Sequence, residues 1–261
     1  NNATIPRRTI LVDSYFVTNA YLRALRAYGK VVLLDDMATK ARDADVIINY
    51  NAFAEKALYE SLCSPYETEY YLGSSYIPLR QAFCNRDYQL KEKVEHVLIT
   101  TGGGDIDNIA GQILKRIAEP KQKYHVVTGR YNPHYEELSA MAEEHDNIYI
   151  YHDVKDMAGL MSSCDLAVTA GGTTVYELSA IGVPFVCFSY AKNQEKLTEY
   201  IGKQGIAGFG GAFHKEAAAT LEAIATQIQA LKENYSLRLR YSQAQRKLVD
   251  GKGAARIAEL L

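Results

Sequence analysis

The chain has 261 residues, and its 29 basic residues nearly balance its 31 acidic ones. This balance excludes the strongly basic surface that nucleic acids and anionic membranes require, and it favours a small neutral or anionic ligand. No apolar run reaches the roughly 18 to 20 residues of a membrane-spanning helix, so we expect no stable membrane insertion. The length predicts one large or two modest α/β domains.

The cysteines and histidines give no sign of a metal or disulfide framework. Cys63, Cys84, Cys164 and Cys187 form no CxxC pair, which predicts reduced, mostly buried thiols in a cytoplasmic protein. The six histidines show no HxxxH or HxH spacing. The sequence therefore predicts neither a metal site nor a cofactor, and it carries no readable signal of oligomeric state.

Short apolar runs alternate with segments of helical periodicity along the chain. The runs are predicted strands, at residues 10–12, 31–34, 46–48, 97–100, 125–128, 148–151, 166–169 and 185–188. Between them, apolar residues recur at helical spacing, for example at Ile109, Ile113 and Ile117. This alternation is typical of βαβ units on a parallel sheet.

A polar stretch at 81–93 predicts a boundary between two Rossmann-like domains, residues 1–85 and 86–261, with a cleft between them. The second domain holds about five βα repeats and ends in one or two helices from Thr220 onward, with a turn at 250–253 before the last one. The first holds three good strands, and the chain opens at Asn1 without an initiator methionine. We therefore expect the N-terminal domain to be incomplete.

Two glycine-rich turns follow predicted strands and precede predicted helices. The first contains Gly102, Gly103 and Gly104, where backbone N–H groups could approach a phosphate at a helix start. The alternative is a tight turn in which Asp105 or Asp107 caps the next helix.

The second turn contains Gly171 and Gly172, followed by Thr173, Thr174 and, one helical turn later, Glu177. Its hydroxyl and N–H groups suit a diphosphate, and Glu177 could accept from ribose hydroxyls. The alternative is a capping box made by Thr174 and Glu177, which closes the helix without a ligand. Two such turns on neighbouring strands favour a nucleotide site.

Polar residues also follow other strands. Lys192, Asn193 and Gln194 come after the strand at 185–188, where they face either the ligand crevice or solvent. In the first half, polar residues end three successive strands, at Asp13 to Tyr15, Asp35 to Asp36 and Asn49 to Asn51. These residues predict a functional site along this edge of the sheet. The alternative is that they cap the helices that follow the strands.

In order along the chain, a series of segments resembles the UDP-sugar hydrolases of pseudaminic acid biosynthesis. The segments are Val12 to Tyr15, Leu34 to Ala38, Asn49 to Asn51, Leu72 to Tyr76, Pro78 to Arg80, Gly102 to Asp105, Gly171 to Glu177, Lys192 to Gln194 and Asp250 to Gly253. Related spore-coat polysaccharide proteins are equally similar, and MurG-type glycosyltransferases share the fold and the second glycine motif.

The resemblance implies a GT-B-like fold and a UDP-sugar substrate, and it assigns roles to residues. Implied near the diphosphate and cleft are Gly103, Gly104, Asp105 and Asn108. Implied to hold phosphate and ribose are Gly172, Thr173, Thr174 and Glu177, with Met157 near the uracil. Asn193 and Gln194 would face the sugar, and Tyr15 would line the active site beside the reacting sugar. Tyr15 and Asp13, which ends the same strand, are therefore the catalytic candidates.

The implied reaction is release of UDP from a UDP-diacetamido-trideoxyhexose, with inversion at the anomeric carbon. Family members carry a Gly-x-Gly-His turn whose histidine is taken to activate water, and no such turn precedes Val12. We therefore expect this chain to bind UDP with little turnover. An inverting glycosyltransferase and a non-catalytic nucleotide-sugar binding chain are the alternatives.

Overall fold

The computed structural model describes residues 8–62 and 67–261. The chain forms two compact units, one made of Asn1–Leu79 with Gly251–Leu261 and the other of Arg80–Asp250. The start of the chain at Asn1 and the thiol of Cys63 lie outside the described residues. The other three cysteines are free thiols, of which Cys164 and Cys187 are buried.

The first unit is a four-stranded parallel sheet in the order β1-β2-β3-β4. Its elements are β1 (Thr9–Asp13), α1 (Asn19–Arg26), β2 (Lys30–Leu34), β3 (Val46–Asn49), the short α2 (Ala57–Glu60) and β4 (Glu69–Leu72). Leu22 of α1 packs on one face of the sheet with Val31 and Leu33. The other face packs against Ile257, which belongs to the last helix of the chain.

The second unit is a six-stranded parallel sheet with helices between its strands. Its elements are β5 (His96–Thr100), α3 (Ile109–Ile117), β6 (Lys123–Thr128), α4 (Tyr135–Glu144), β7 (Ile148–His152), α5 (Met157–Ser163), β8 (Leu166–Ala170), α6 (Thr173–Ile181), β9 (Phe185–Ser189), α7 (Lys192–Lys203), β10 (Gly208–Ala212), α8 (Ala217–Glu233) and α9 (Tyr235–Leu248). The chain then returns to the first unit as α10 (Gly253–Leu260).

The strand order of this sheet is β10-β9-β8-β5-β6-β7. The chain leaves β5 toward β6 and leaves β8 toward β9, so the two central strands send their crossovers in opposite directions. Ile113 of α3 and Ile224 of α8 pack with Val97 and Ile99 in one buried cluster. The topology therefore creates a switch point at the carboxyl ends of β5 and β8, where open α/β sheets bind ligands.

All eight predicted strands are confirmed, and their bounds differ from the predicted ones by one or two residues. The apolar pattern predicts neither β4, whose residues are exposed or partly buried, nor β10, which has the sequence Gly-Phe-Gly-Gly-Ala and little strand character. The sequence predicts one or two helices after Thr220, whereas the region forms α8, α9 and α10.

The observed division of the chain differs from the predicted domains at both ends of the second one. The polar stretch at 81–93 holds no strand, as expected, but it packs into the second unit through the buried side chains of Phe83 and Tyr88. Residues 251–261 join the first unit because α10 needs a partner for its apolar face. Gly253 fits against the backbone of Ile77, where an added Cβ would lie 2.1 Å from the carbonyl oxygen.

Among the described residues, every helix is too short or too polar to span a lipid bilayer.

A hydrogen-bonded histidine pair crosses the second sheet. His96 Nδ1 lies 2.8 Å from His125 Nε2, and His125 Nδ1 lies 2.9 Å from the hydroxyl oxygen of Tyr151. Burial, followed by the charge of His96, lowers the pKa of His125 from 6.5 to about 4. The folded protein therefore favours neutral His125 more strongly than the unfolded chain does.

This shift predicts a loss of stability in acid. The contribution of His125 is fully present above its unfolded pKa of 6.5 and is lost as the pH falls toward about 4. We expect His125 to account for up to about 3 kcal/mol of the fall in unfolding free energy across this window. Urea denaturation at several pH values should show a shallower dependence for His125→Gln than for the wild type. An unchanged slope, equal to that of the exposed control His145→Gln, would contradict the assignment.

Candidate functional site

The two glycine-rich turns lie side by side at the switch point of the second sheet. Thr100, at the end of β5, is in register with Thr169 of β8. Each strand runs into its glycine turn and then into a helix, α3 or α6. The predicted pairing of these turns on neighbouring strands is confirmed.

Side chains of the first turn cap the N-terminus of α3. Asp105 accepts hydrogen bonds from the backbone N–H groups of Ile109 at 2.7 Å and Ala110 at 3.0 Å. Asn108 is the N-cap of α3 and accepts from the N–H of Gly111 at 3.1 Å. Since these side chains satisfy the first-turn donors of α3, the capping alternative holds for Asp105, and the start of α3 has little to offer a phosphate.

The donors left in the first turn belong to its glycines. Gly102 adopts φ +91°, which turns the chain sharply after β5. Gly103 and Gly104 are exposed, and no described residue accepts from their N–H groups. The turn after β6 packs directly on Gly103, because a Cβ on Gly129 would lie 2.2 Å from the carbonyl oxygen of Gly103. Gly103 and Gly104 thus remain the part of this turn that could contact an anion.

At the second turn, the N-terminus of α6 is uncapped. The N-cap of α6 is Gly172, and no side chain caps this helix. The N–H groups of Thr173 and Thr174 therefore point out of the first turn of α6 without a capping partner. The capping-box alternative is wrong, because Thr174 lies two residues inside the helix and Glu177 faces Arg80 instead. Of the two turns, this one has the chemistry of an anion site.

The two glycines of the second turn have different surroundings. A Cβ on Gly171 would lie 2.3 Å from Cγ2 of Thr198, so this glycine allows the turn to pack against α7. A Cβ on Gly172 would meet no atom within 4 Å. Gly171 serves packing, whereas Gly172 faces open space beside the free N–H groups.

Glu177 is a largely buried carboxylate one turn into α6. Its side chain is 18% exposed, and its Oε1 lies 3.7 Å from Nη2 of Arg80, whose side chain is 67% exposed. Burial raises the pKa of Glu177, and the positive charge of Arg80 opposes that rise. The sequence pattern assigns no role to Arg80, although Arg80 lies in one of the segments that resemble the family.

The start of α7 is next to this turn in the sheet, because β9 pairs with β8. No side chain caps α7, and both Lys192 and Asn193 are exposed. Gln194 accepts from the N–H of Tyr190 through Oε1 at 3.0 Å. Its Nε2 has no acceptor among the described residues, so the Gln194 side chain is oriented as a hydrogen-bond donor.

Met157, the predicted uracil contact, is the first residue of α5 and is partly buried. Asp156 caps this short helix by accepting from the N–H of Gly159 at 2.9 Å. Asp156 also lies 3.5 Å from Nη2 of Arg86.

Polar residues gather at the carboxyl edge of the first sheet, as the sequence predicted. The hydroxyls of Tyr15 and Tyr50 both donate to Oδ2 of Asp36, at 2.9 Å and 3.3 Å. Although Tyr15 is 65% exposed, partial burial of its hydroxyl, with the Asp36 hydrogen bond next, raises the pKa of Tyr15 to about 12. Tyr15 therefore stays protonated at neutral pH, and its oxygen can accept a hydrogen bond but cannot serve as a base.

The cap alternative is wrong for the segment Asp13 to Tyr15, because α1 is capped by Thr18. The Asp13 side chain is exposed. The cap alternative is also wrong for the segment Asn49 to Asn51, because no side chain caps α2, the helix that follows it. Within the described part of the chain, no group of three or more His, Cys, Asp or Glu side chains is placed to hold a metal ion.

Residues 84–261 match the Glycosyltransferase family 28 C-terminal domain. The chain belongs to this family. The matched range begins four residues into the second unit and includes both glycine turns.

Two curated proteins are each 29% identical in sequence to this chain, within their aligned regions. The spore coat polysaccharide biosynthesis protein SpsG of Bacillus subtilis aligns over 245 residues, which is 89% of this chain and 69% of the relative. A UDP-2,4-diacetamido-2,4,6-trideoxy-beta-L-altropyranose hydrolase of Campylobacter jejuni aligns over 199 residues, which is 75% of this chain and 71% of the relative. The family resemblance predicted from the sequence is confirmed.

Solved structures show the fold. MurG of Acinetobacter baumannii superposes with a TM-score of 0.63 at 17% identity, covering 97% of this chain and 73% of that one. The pneumococcal O-GlcNAc transferase GtfA in complex with UDP and GlcNAc superposes with a TM-score of 0.61 at 12% identity, covering 96% and 56%. The predicted GT-B-like α/β class is confirmed.

Proposed function

We propose that this chain acts on UDP-sugars in the biosynthesis of a surface polysaccharide, as a hydrolase that releases UDP from a UDP-diacetamido-trideoxyhexose with inversion at the anomeric carbon. Relatives named for spore coat polysaccharide biosynthesis and for hydrolysis of such a UDP-sugar support this proposal. The observation that carries it is the uncapped start of α6 beside Gly172, with Glu177 one turn further on. We place the protein in the cytoplasm, with a UDP-sugar as its ligand.

In this proposal the diphosphate lies on the N–H groups of Thr173 and Thr174, with Lys192 at the neighbouring helix start. Glu177 accepts from the ribose hydroxyls, and the N–H groups of Gly103 and Gly104 supply further donors from the first turn. Gln194 donates to an oxygen of the sugar, with Asn193 beside it. Asp105 and Asn108 act indirectly, by holding the first turn in shape while they cap α3.

Hydrolysis then proceeds by attack of water on the anomeric carbon, on the face opposite UDP. A C–O bond forms as the bond to the diphosphate oxygen breaks, and the electron pair of that bond leaves with UDP. Negative charge grows on the diphosphate, so preorganised N–H groups at a helix start stabilise the transition state more than the ground state. The attacking water loses its proton to a base, and a positioned base contributes about 10² to 10⁴ in rate.

Tyr15 and Asp13 remain our proposal for the catalytic residues of the first unit. Since the hydroxyl of Tyr15 donates a hydrogen bond to Asp36, its oxygen is left to accept from an O–H or N–H group. This orientation fits a residue that positions water or an amide of the sugar. Asp13 is an exposed side chain at the end of β1.

Calorimetry with UDP tests the ligand. We expect UDP to bind more tightly than UMP, because of the second phosphate, and more tightly than ADP, because of the uracil. Glu177→Ala should weaken UDP binding about tenfold or more, since a charged hydrogen-bond acceptor is lost. Glu222→Ala is the matched control, because Glu222 is 72% exposed on α8 and pairs with Arg116. If the folded wild type binds no UDP, the proposal fails.

An inverting glycosyltransferase is the second candidate, favoured by the family 28 match. The two activities differ in what they need besides the UDP-sugar. Release of free sugar without an added acceptor identifies a hydrolase, and release of UDP only with an acceptor identifies a transferase. Tight UDP binding with neither reaction identifies a non-catalytic binding protein.

A further inference from the structure

Arg80 is held against the second glycine turn by the segment that opens the second unit. It directly precedes a 3₁₀ turn, Gln81–Phe83, that packs against α6. Phe83 is fully buried, which anchors this segment. The guanidinium carbon of Arg80 lies 4.9 Å from the centre of the Phe83 ring, and its Nη2 lies 3.7 Å from Glu177 Oε1.

Glu177 sits in surroundings that disfavour its charged form. Its side chain is largely buried, and burial alone raises the pKa of this carboxyl. Arg80 opposes the rise because an adjacent positive charge favours the carboxylate. Both residues belong to the second unit, so this ion pair is a property of that unit.

The charged residues on the other helices packed against α6 interact with groups other than Glu177. α9 places Arg246 beside Gly182, at the far end of α6, where its Nη2 donates to the carbonyl of Tyr88 at 2.8 Å. Asp156, at the start of α5, pairs with Arg86. Among the described residues, Arg80 is the charged group that acts on the Glu177 carboxyl.

We infer that Arg80 is a positioning residue of the nucleotide site, which holds Glu177 as an ionised acceptor for the two ribose hydroxyls of a uridine diphosphate. The inference rests on the proposed function. An ionised carboxylate can accept from both hydroxyls of a cis-diol, whereas a protonated carboxyl must keep one O–H donor and is the weaker acceptor. Arg80 thereby makes the site selective for a ribonucleotide across neutral pH.

The test compares UDP affinities of the wild type and Arg80→Met by calorimetry, from about pH 8.5 to about pH 5.5. The ratio of the two dissociation constants cancels the titration of UDP itself. We expect the dissociation constant of the variant, divided by that of the wild type, to rise about tenfold as the pH falls, because Glu177 becomes protonated at a higher pH in the variant. With 2′,3′-dideoxy-UDP, which lacks both hydroxyls, the ratio should stay constant.

Two further variants serve as controls. Arg80→Lys keeps a positive charge beside Glu177 and should restore a nearly constant ratio. Arg116→Met removes an arginine that pairs with Glu222, and it should leave the ratio constant. If Arg80→Met does not fold, Arg80→Gln takes its place in the same comparison.

A ratio for UDP that stays flat across the pH range would overturn the role of Arg80 while leaving UDP binding intact. An equal rise with the dideoxy analogue would also overturn it, because the ribose hydroxyls would then not be involved. If the wild type binds neither nucleotide, the proposed function itself is lost, and the inference goes with it.

Discussion

Replacing Gly172 with alanine is expected to weaken UDP binding about 10- to 100-fold while leaving the unfolding free energy nearly unchanged. The backbone of Gly172 is extended, with φ −135° and ψ −158°, which alanine adopts without strain. The added Cβ meets no protein atom within 4 Å. It does enter the open space beside the N–H groups of Thr173 and Thr174, where the diphosphate is proposed to approach.

Gly171→Ala provides the matched control, because it should have the opposite profile. Its Cβ would lie 2.3 Å from Cγ2 of Thr198, so α7 or the turn must shift, at a cost of about 1–3 kcal/mol in stability. Calorimetry with UDP and urea denaturation of both variants separate the two effects. Wild-type affinity in a correctly folded Gly172→Ala protein would show that no phosphate lies at this turn.

Replacing Arg238 with methionine is expected to lower the unfolding free energy by about 3 kcal/mol or more. Arg238 is 1% exposed. It donates to the carbonyls of Leu231 and Lys232 at the end of α8, and to those of Lys91 and Glu92 ahead of β5. Methionine fills similar volume but donates nothing, so several buried carbonyls lose their partner at once.

Arg240→Met is the appropriate control for this variant, because Arg240 is an exposed arginine on the same helix. It should change stability little, since exposed substitutions rarely do. Urea denaturation monitored by circular dichroism gives both values. Equal stability of the two variants would show that the buried hydrogen bonds of Arg238 contribute nothing net.

The central strands of both sheets could be predicted because parallel strands are buried on both faces and read as continuous apolar runs. Val46 to Ile48 and Leu166 to Val168 are examples. β10 could not be predicted in this way, because its three glycines carry no apolar signal and its pairing with β9 supplies the strand geometry. The return of α10 to the first unit depends on Ile257 meeting β2 and β3, a contact that local sequence does not encode.

Both glycine turns could be predicted as candidate anion sites, but the sequence could not rank them. The difference depends on backbone conformation. Asp105 and Asn108 adopt positive φ values of 37° and 51°, and their side chains reach the first N–H groups of α3. At the second turn, α6 begins at Thr173, so Thr174 is not at the cap position that the sequence pattern suggested.

The ion pair between Arg80 and Glu177 was also beyond sequence reasoning. The two residues are far apart in the chain, and Arg80 reaches Glu177 because Phe83 anchors the short turn that follows Arg80 on α6. Tyr15 and Asp36 likewise come together across two strands of the first sheet. Their grouping at a strand edge was predictable from the parallel topology, whereas the pairing of Tyr15 with Asp36 was not.

The central claim is that UDP binds at the open start of α6, and amide chemical-shift mapping tests it most directly. Protein labelled with nitrogen-15 would be titrated with UDP. We predict the largest shifts at the amides of Thr173 and Thr174, and small ones at Ile109 and Ala110, which Asp105 already holds. Large shifts at Ile109 and Ala110 with none at Thr173 and Thr174, or no shifts at all, would contradict the claim.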